Sequence, residues 1–147
     1  ADNAYEGDEV VIILDRTPFY AESGGQIGDT GVIVSKDFKA EIINTTKNNN
    51  GIIFHEAKIT EGMASAGTDV SANVNVERRE AIMRNHTAAH LLQAALREVL
   101  GDHVHQAGQL VDADRVRFDF SHFNALTNEE KLKVAGHRID DLERERV

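Results

Sequence analysis

The chain has 147 residues, 41% of them hydrophobic and 28% charged, which supplies a buried core for one compact domain or two small subdomains. A formal net charge of −9 argues against a free-standing grip on nucleic acid, because phosphate binding draws on Lys and Arg displacing counterions. With no Cys there is neither a disulfide framework nor a thiolate, and no apolar run approaches the roughly 20 residues that cross a bilayer, so no membrane partner is expected and a cytoplasmic location is the default.

The first half reads as strands. Residues 9–14 are a short apolar run of the kind that forms a buried strand. Residues 15–31 follow as a shaped loop, holding the single Pro and Gly24, Gly25, Gly28 and Gly31. Residues 32–34 are a further strand candidate, and Phe38, Ala40 and Ile42 alternate in the next. Asn48-Asn49-Asn50-Gly51 predicts a hairpin turn, since Asn and Gly tolerate positive φ, with a partner strand over 52–56. Val70, Ala72 and Val74 alternate once more. Short strands joined by Gly-rich turns imply a small barrel or sandwich over residues 1–75.

Residues 76–147 are expected to be α/β. Asn75 caps a helix over 76–100 that Gly101 stops. At about 100° per residue, Ala88, Leu91, Leu92, Ala95, Leu96 and Val99 share one side, and His86, His90, Gln93 and Arg97 share the opposite side. Two strands are expected over 104–111 and 115–120, joined by Asp112-Ala113-Asp114. Thr127-Asn128-Glu129-Glu130 is a capping box for a last helix with an apolar stripe at Leu132, Ala135, Ile139 and Leu142. The absence of an opening Met, and a helix that runs to Val147 without a stop signal, read as the ends of a piece of a longer protein.

His86 and His90 carry the first chemical signal. At i and i+4 on a helix, two imidazoles lie one above the other and can converge on one ion, and imidazole suits zinc. A zinc protease is disfavoured, because Thr87 stands where that enzyme needs a Glu base. Taken alone, the spacing favours two histidines on a solvated helix face over a metal site. Gln26, beside Gly24-Gly25, places an amide donor and acceptor on backbone that can approach a ligand closely. The loop lacks the Gly-Lys-Ser/Thr ending of a phosphate loop. Gln106, after the helix, is a further candidate substrate contact. His103, His105 and His122 read as structural or solvated, Arg78-Arg79 as a surface basic pair, and Phe118 and Phe120 as core rather than a base-stacking platform. His55 carries no signal.

Together, Pro18-Phe19-Tyr20-Ala21-Glu22-Ser23-Gly24-Gly25-Gln26, Gly28-Asp29, Arg84-Asn85-His86-Thr87-Ala88-Ala89-His90-Leu91 and Arg117-Phe118-Asp119-Phe120-Ser121-His122 resemble the editing domain of bacterial alanyl-tRNA synthetases, in order and over nearly the whole chain. The resemblance implies an α+β fold: a small N-terminal β-barrel, then the α/β editing core shared by threonyl- and alanyl-tRNA synthetases and by free-standing trans-editing proteins. It implies hydrolysis of tRNA(Ala) mischarged with serine or glycine. His86 and His90 would be zinc ligands, and Gln26 would contact substrate or water; these three are the catalytic candidates. The tRNA(Ala) acceptor end and the rest of the synthetase chain would be the partners, and ATP would be used only in a catalytic domain outside this sequence. The family takes its remaining zinc ligands from a C-x-x-x-H motif that this sequence does not contain, so an incomplete zinc set and an inactive isolated fragment are expected. A noncatalytic tRNA-positioning module and a free-standing trans-editing protein are the alternatives.

Overall fold

The computed structural model describes residues 3–145, with side chains described for residues 3–136. The fold is mixed α+β and divides into two compact units, Ala1–Glu80 and Ala81–Val147.

The first unit is a six-stranded antiparallel sheet. Its strands are β1 (Asn3–Tyr5), β2 (Glu9–Ile12), β3 (Gly31–Val34), β4 (Phe38–Lys47), β5 (Ile53–Ser65) and β6 (Ser71–Val74). The order is β1-β5-β4-β3-β6, and β2 also pairs with β5. The thirteen-residue β5 is long enough to carry β1 at Met63–Ser65 and β2 at His55–Lys58 on one edge while β4 takes the other. Among the described residues no ladder joins β6 to β2 or β1, so the sheet is open and the expected closed barrel does not form.

The hairpin between β4 and β5 falls on Asn48–Gly51, as the residues predict. The Asn48 side-chain oxygen accepts from the backbone N–H of Asn50 and Ile52, both at 3.0 Å, and Gly51 takes φ 81°. β5 runs on to Ser65, well past the 52–56 expected. In β4 the inward residues are Phe38, Ala40 and Ile42, then Thr45; a bulge between Ile42 and Asn44 inserts one residue and reverses the alternation. Ile43, on the outward phase, is 53% exposed, and the bulge turns the polar Thr45 inward, where it is fully buried. Phe19, Ile33, Phe38, Ala40, Ile42, Ala57 and Ile59 form the core of this unit.

That core also encloses His55. Its Nδ1 lies 2.8 Å from the Ile12 carbonyl, and its Nε2 lies 2.7 Å from Thr17 Oγ1. The carbonyl can only accept, so Nδ1 carries the proton and Nε2 accepts from the Thr17 hydroxyl. Thr17 in turn accepts from the Phe19 N–H at 3.1 Å, and the Phe19 ring meets the imidazole edge-on. Burial pushes the His55 pKa below its ordinary value, outweighing the bond to Ile12. The unfolded chain therefore binds this proton more readily than the folded one. Stability from His55 is present above about pH 6.5 and is lost as pH falls toward the lower folded value. A His55→Gln variant, titrated by urea unfolding across that window, is expected to lose part of the pH slope of the parent; an unchanged slope would contradict this.

The second unit holds α1 (Val76–Leu100, whose first turn belongs to the first unit), the hairpin β7 (Gln106–Val111) and β8 (Val116–Phe120), and α2 (Asn128–Glu145). Asn75 caps α1, its side chain accepting from the Arg78 N–H at 3.1 Å. Gly101 ends the helix at φ 120°. The capping box of α2 is formed: Thr127 N–H donates to Glu130 at 3.0 Å, and Glu130 N–H donates to Thr127 Oγ1 at 3.2 Å. Ala95, Leu96, Val104 and Val134 make the core, with Phe118 and Phe120 packed against it. The side chains of Ile139 and Leu142 of the expected α2 stripe, and the chain end at Val147, lie outside what is described. Among the described residues no helix is long and apolar enough to cross a membrane.

Candidate functional site

His86 and His90 face each other on α1 with their Nε2 atoms 3.0 Å apart and ring centroids 4.8 Å apart. His86 is half-buried and His90 exposed. Two neutral imidazoles at this distance share one Nε2 proton, one donating and the other accepting. The spacing is also within a few tenths of an ångström of the about 3.4 Å that two nitrogens span on one tetrahedral zinc. The donor set therefore fits half of a zinc site. Among the described residues no group of three or more His, Cys, Asp or Glu side chains is placed to hold a metal. The surrounding helix is anchored: Asn85 donates to the Asp112 carbonyl at 2.7 Å, and the Asp112 carboxylate closes the β7–β8 turn by accepting from Asp114 and Arg115 N–H.

Gln106 opens β7, opposite Phe120, and is exposed. The register slips between Gln106 and Gly108, so Ala107 is a bulge that re-aims the start of the strand. His103 and His105 precede this strand rather than alternating along it. His103 Nε2 lies 2.8 Å from His122 Nδ1, which ties the entry to β7 to the exit of β8, while His105 is exposed.

In the first unit, Gln26 sits at the foot of a tight turn. Ser23 and Gln26 exchange backbone hydrogen bonds of 3.1 and 2.9 Å, with Gly24 at φ 59° and Gly25 at φ 84° between them. Two successive positive φ values make this the primed hairpin turn that Gly-Gly favours. The rest of the loop is clamped. Asp29, 2% exposed, accepts through Oδ2 from the Tyr20 N–H at 2.8 Å and from Arg79 Nε at 3.0 Å, with Arg79 Nη2 bonded to the same oxygen. Arg79 also donates to the Pro18 carbonyl, and Arg78 to the Gly28 carbonyl at 2.9 Å. Thr45 donates to the Asp29 carbonyl and accepts from the Glu22 N–H. The surface basic pair expected at Arg78-Arg79 is thus a pair of loop anchors. The partner of Asp29 stands fifty positions away in the chain, beyond the reach of any local motif.

Gly28 is irreplaceable for space rather than conformation. A Cβ there would lie 2.2 Å from the Thr45 carbonyl oxygen, near the end of β4, whereas one at Gly24 meets nothing within 4 Å and suffers only from its φ. Gly28→Ala is expected to destabilise by at least about 1–3 kcal/mol, against about 1 kcal/mol for Gly24→Ala. Urea midpoints in the reverse order would contradict the placement of the loop.

The family model of the class II (A) tRNA synthetases matches residues 1–78. The chain is 54% identical over 133 residues to the alanine–tRNA ligase of Acetivibrio thermocellus, covering 90% of this chain and 15% of that protein. It is 51% identical over 145 residues to the alanine–tRNA ligase of Desulfitobacterium hafniense, covering 99% of this chain and 16% of that one. It is 50% identical over 133 residues to that of Bacillus velezensis, covering 90% of this chain and 15% of the relative. The chain thus spans about a sixth of the length of these relatives. With more than half of its residues inside the family model, the chain belongs to the class II (A) tRNA synthetases.

Proposed function

We propose that this chain is the editing part of an alanine–tRNA ligase and hydrolyses the ester of tRNA(Ala) mischarged with serine or glycine. The observation that carries the reading is the pair of imidazoles converging at 3.0 Å on α1, in a chain about half identical to alanine–tRNA ligases. The α/β editing core, of the kind shared with threonyl-tRNA synthetases, is taken to begin at residue 76, after the sheet of residues 1–75. His86 and His90 would hold zinc, and Gln26 and Gln106 would contact the aminoacyl end. Zinc, when bound, supplies a Lewis acid that can polarise the ester carbonyl, orient the substrate or activate water. The attachment of alanine using ATP belongs to another part of such an enzyme, which also supplies the cationic surface for the tRNA acceptor end that a chain of charge −9 lacks. A cytoplasmic location follows from this reading.

The need for such a site is energetic. A pocket built for alanine cannot exclude glycine by size, and an added hydroxyl is rejected only weakly by apolar contacts. A second site that hydrogen-bonds the seryl hydroxyl cleaves the wrong ester and spares the alanyl one. The side-chain amides of Gln26 and Gln106 offer both donor and acceptor for that task. The test is deacylation of seryl-, glycyl- and alanyl-tRNA(Ala) by the intact ligase that carries this segment. Cleavage of the first two with the third spared is expected. A salt-sensitive grip on tRNA with all three esters stable would instead make the segment a noncatalytic positioning module.

A further inference from the structure

We propose that Asp29 and Arg79 are positioning residues for Gln26, locking the loop so that its Gly-Gly turn presents that side chain in one orientation. The inference rests on the reading of Gln26 as a substrate contact. Its geometric basis is independent of that reading. The turn Ser23–Gln26 is closed by its own two backbone bonds, and a further bond runs from the Tyr20 hydroxyl to the Ser23 carbonyl at 3.3 Å. What fixes the turn against the sheet is the pair of limbs on either side. Tyr20 on the entering limb and Asp29 on the leaving limb bond each other twice, Asp29 N–H to the Tyr20 carbonyl at 2.9 Å and Tyr20 N–H to the Asp29 carboxylate at 2.8 Å.

Arg79 holds both limbs at once. Its guanidinium reaches Asp29 on one and the Pro18 carbonyl on the other. A planar fork with several fixed donors suits this bridging, and a Lys ammonium can occupy only one end of it. Asp29 is nearly inaccessible to water, so its carboxylate has no alternative partner in solvent. Arg79 lies in the first turn of α1, the helix whose later turns carry His86 and His90. The loop is thereby held by Arg79 from outside it as well as by its own Tyr20–Asp29 bonds.

The test is a double-mutant cycle in the intact ligase, reading kcat and KM for seryl-tRNA(Ala) deacylation with Arg79→Gln, Arg79→Lys, Gln26→Ala and the combined Gln26→Ala/Arg79→Gln enzyme. Misplacing a contact by about an ångström costs up to roughly a hundredfold, so Arg79→Gln is expected to lower kcat about ten- to a hundredfold with a smaller change in KM, and Arg79→Lys to recover only part of it. In the Gln26→Ala background Arg79→Gln is expected to add nothing, because the group it positions is gone. Full additivity of the two losses would overturn the proposal, since general weakening of the fold adds to any other defect. Amide exchange separates this from failure of the reading beneath it. If Gln26→Ala leaves deacylation intact, the substrate role of Gln26 fails, but faster exchange at Tyr20, Glu22 and Asp29 in Arg79→Gln, with β4 and β5 still protected, upholds the positioning. Unchanged exchange at those three amides overturns it.

Discussion

Replacing His86 and His90 together by Ala in the intact ligase is expected to lower seryl-tRNA(Ala) deacylation by at least about a hundredfold, because loss of even an outer-shell partner of a metal ligand typically costs 10–100-fold. Aminoacylation, assigned to another part of the enzyme, should be unaffected. The argument runs from the helix outward. Positions i and i+4 put both rings on one flank of α1, and the structure sets their Nε2 atoms 3.0 Å apart. Shared between two imidazoles alone, that contact is one ordinary hydrogen bond between partly exposed groups, worth about 1 kcal/mol, and its loss would leave folding and catalysis nearly untouched. If the same atoms hold zinc, both Nε2 lone pairs must face the ion, so each neutral ring carries its proton on Nδ1 and the hydrogen bond between the rings is lost. The two interpretations separate cleanly in the double variant: unimpaired deacylation would sink the assignment of these residues. The isolated chain should hold zinc only weakly, since two imidazoles supply half of a four-ligand set. Stoichiometric zinc that survives dialysis of the isolated chain against a chelator would contradict that expectation.

Features governed by neighbours along the chain were legible in the sequence. The helix over 76–100, its Asn75 cap and Gly101 stop, the Asn48–Gly51 turn and the Thr127 capping box all stand where residue type and spacing put them. Each is decided by local backbone chemistry. Features that depend on partners distant in sequence were not. β1 is three residues long and too short for any period to show, yet β5 holds it. Alternation misplaces Thr45, because a bulge reverses the inward face midway along β4. His55 gives no sequence signal, since its two partners, Ile12 and Thr17, lie some forty residues earlier. The candidate site divides in the same way. The His86–His90 pairing follows from helical geometry, and the Gly-Gly turn before Gln26 follows from glycine. The anchors of that turn, Asp29 and Arg79, meet across fifty residues and read singly as a loop carboxylate and a surface cation.

Arg79→Ala is expected to destabilise the first unit by about 2–3 kcal/mol. Removing one partner of a fully buried ion pair costs about 3–5 kcal/mol, because the remaining charge stays desolvated. The discount reflects exposure: the Arg79 side chain is 34% accessible, so water can reach the edge of the gap, although Asp29 itself is only 3% accessible in its side chain. Asp29 would also keep the Tyr20 N–H. Asp29→Asn should cost less, about 1–2 kcal/mol, since the amide oxygen still accepts from Tyr20 and only the charge assistance from Arg79 is lost. The combination Asp29→Asn/Arg79→Ala should then cost less than the sum of its parts by at least about 1 kcal/mol, because the second change removes the stranded charge that made the first expensive. Urea unfolding of the three variants, followed by far-ultraviolet circular dichroism, measures this directly, with an unchanged m value as the sign that the native and denatured states are the same in each. Simple additivity would mean that the two side chains do not share a buried contact, and that the loop carrying Gln26 is held by its remaining bonds, those from Arg78 and Thr45 among them.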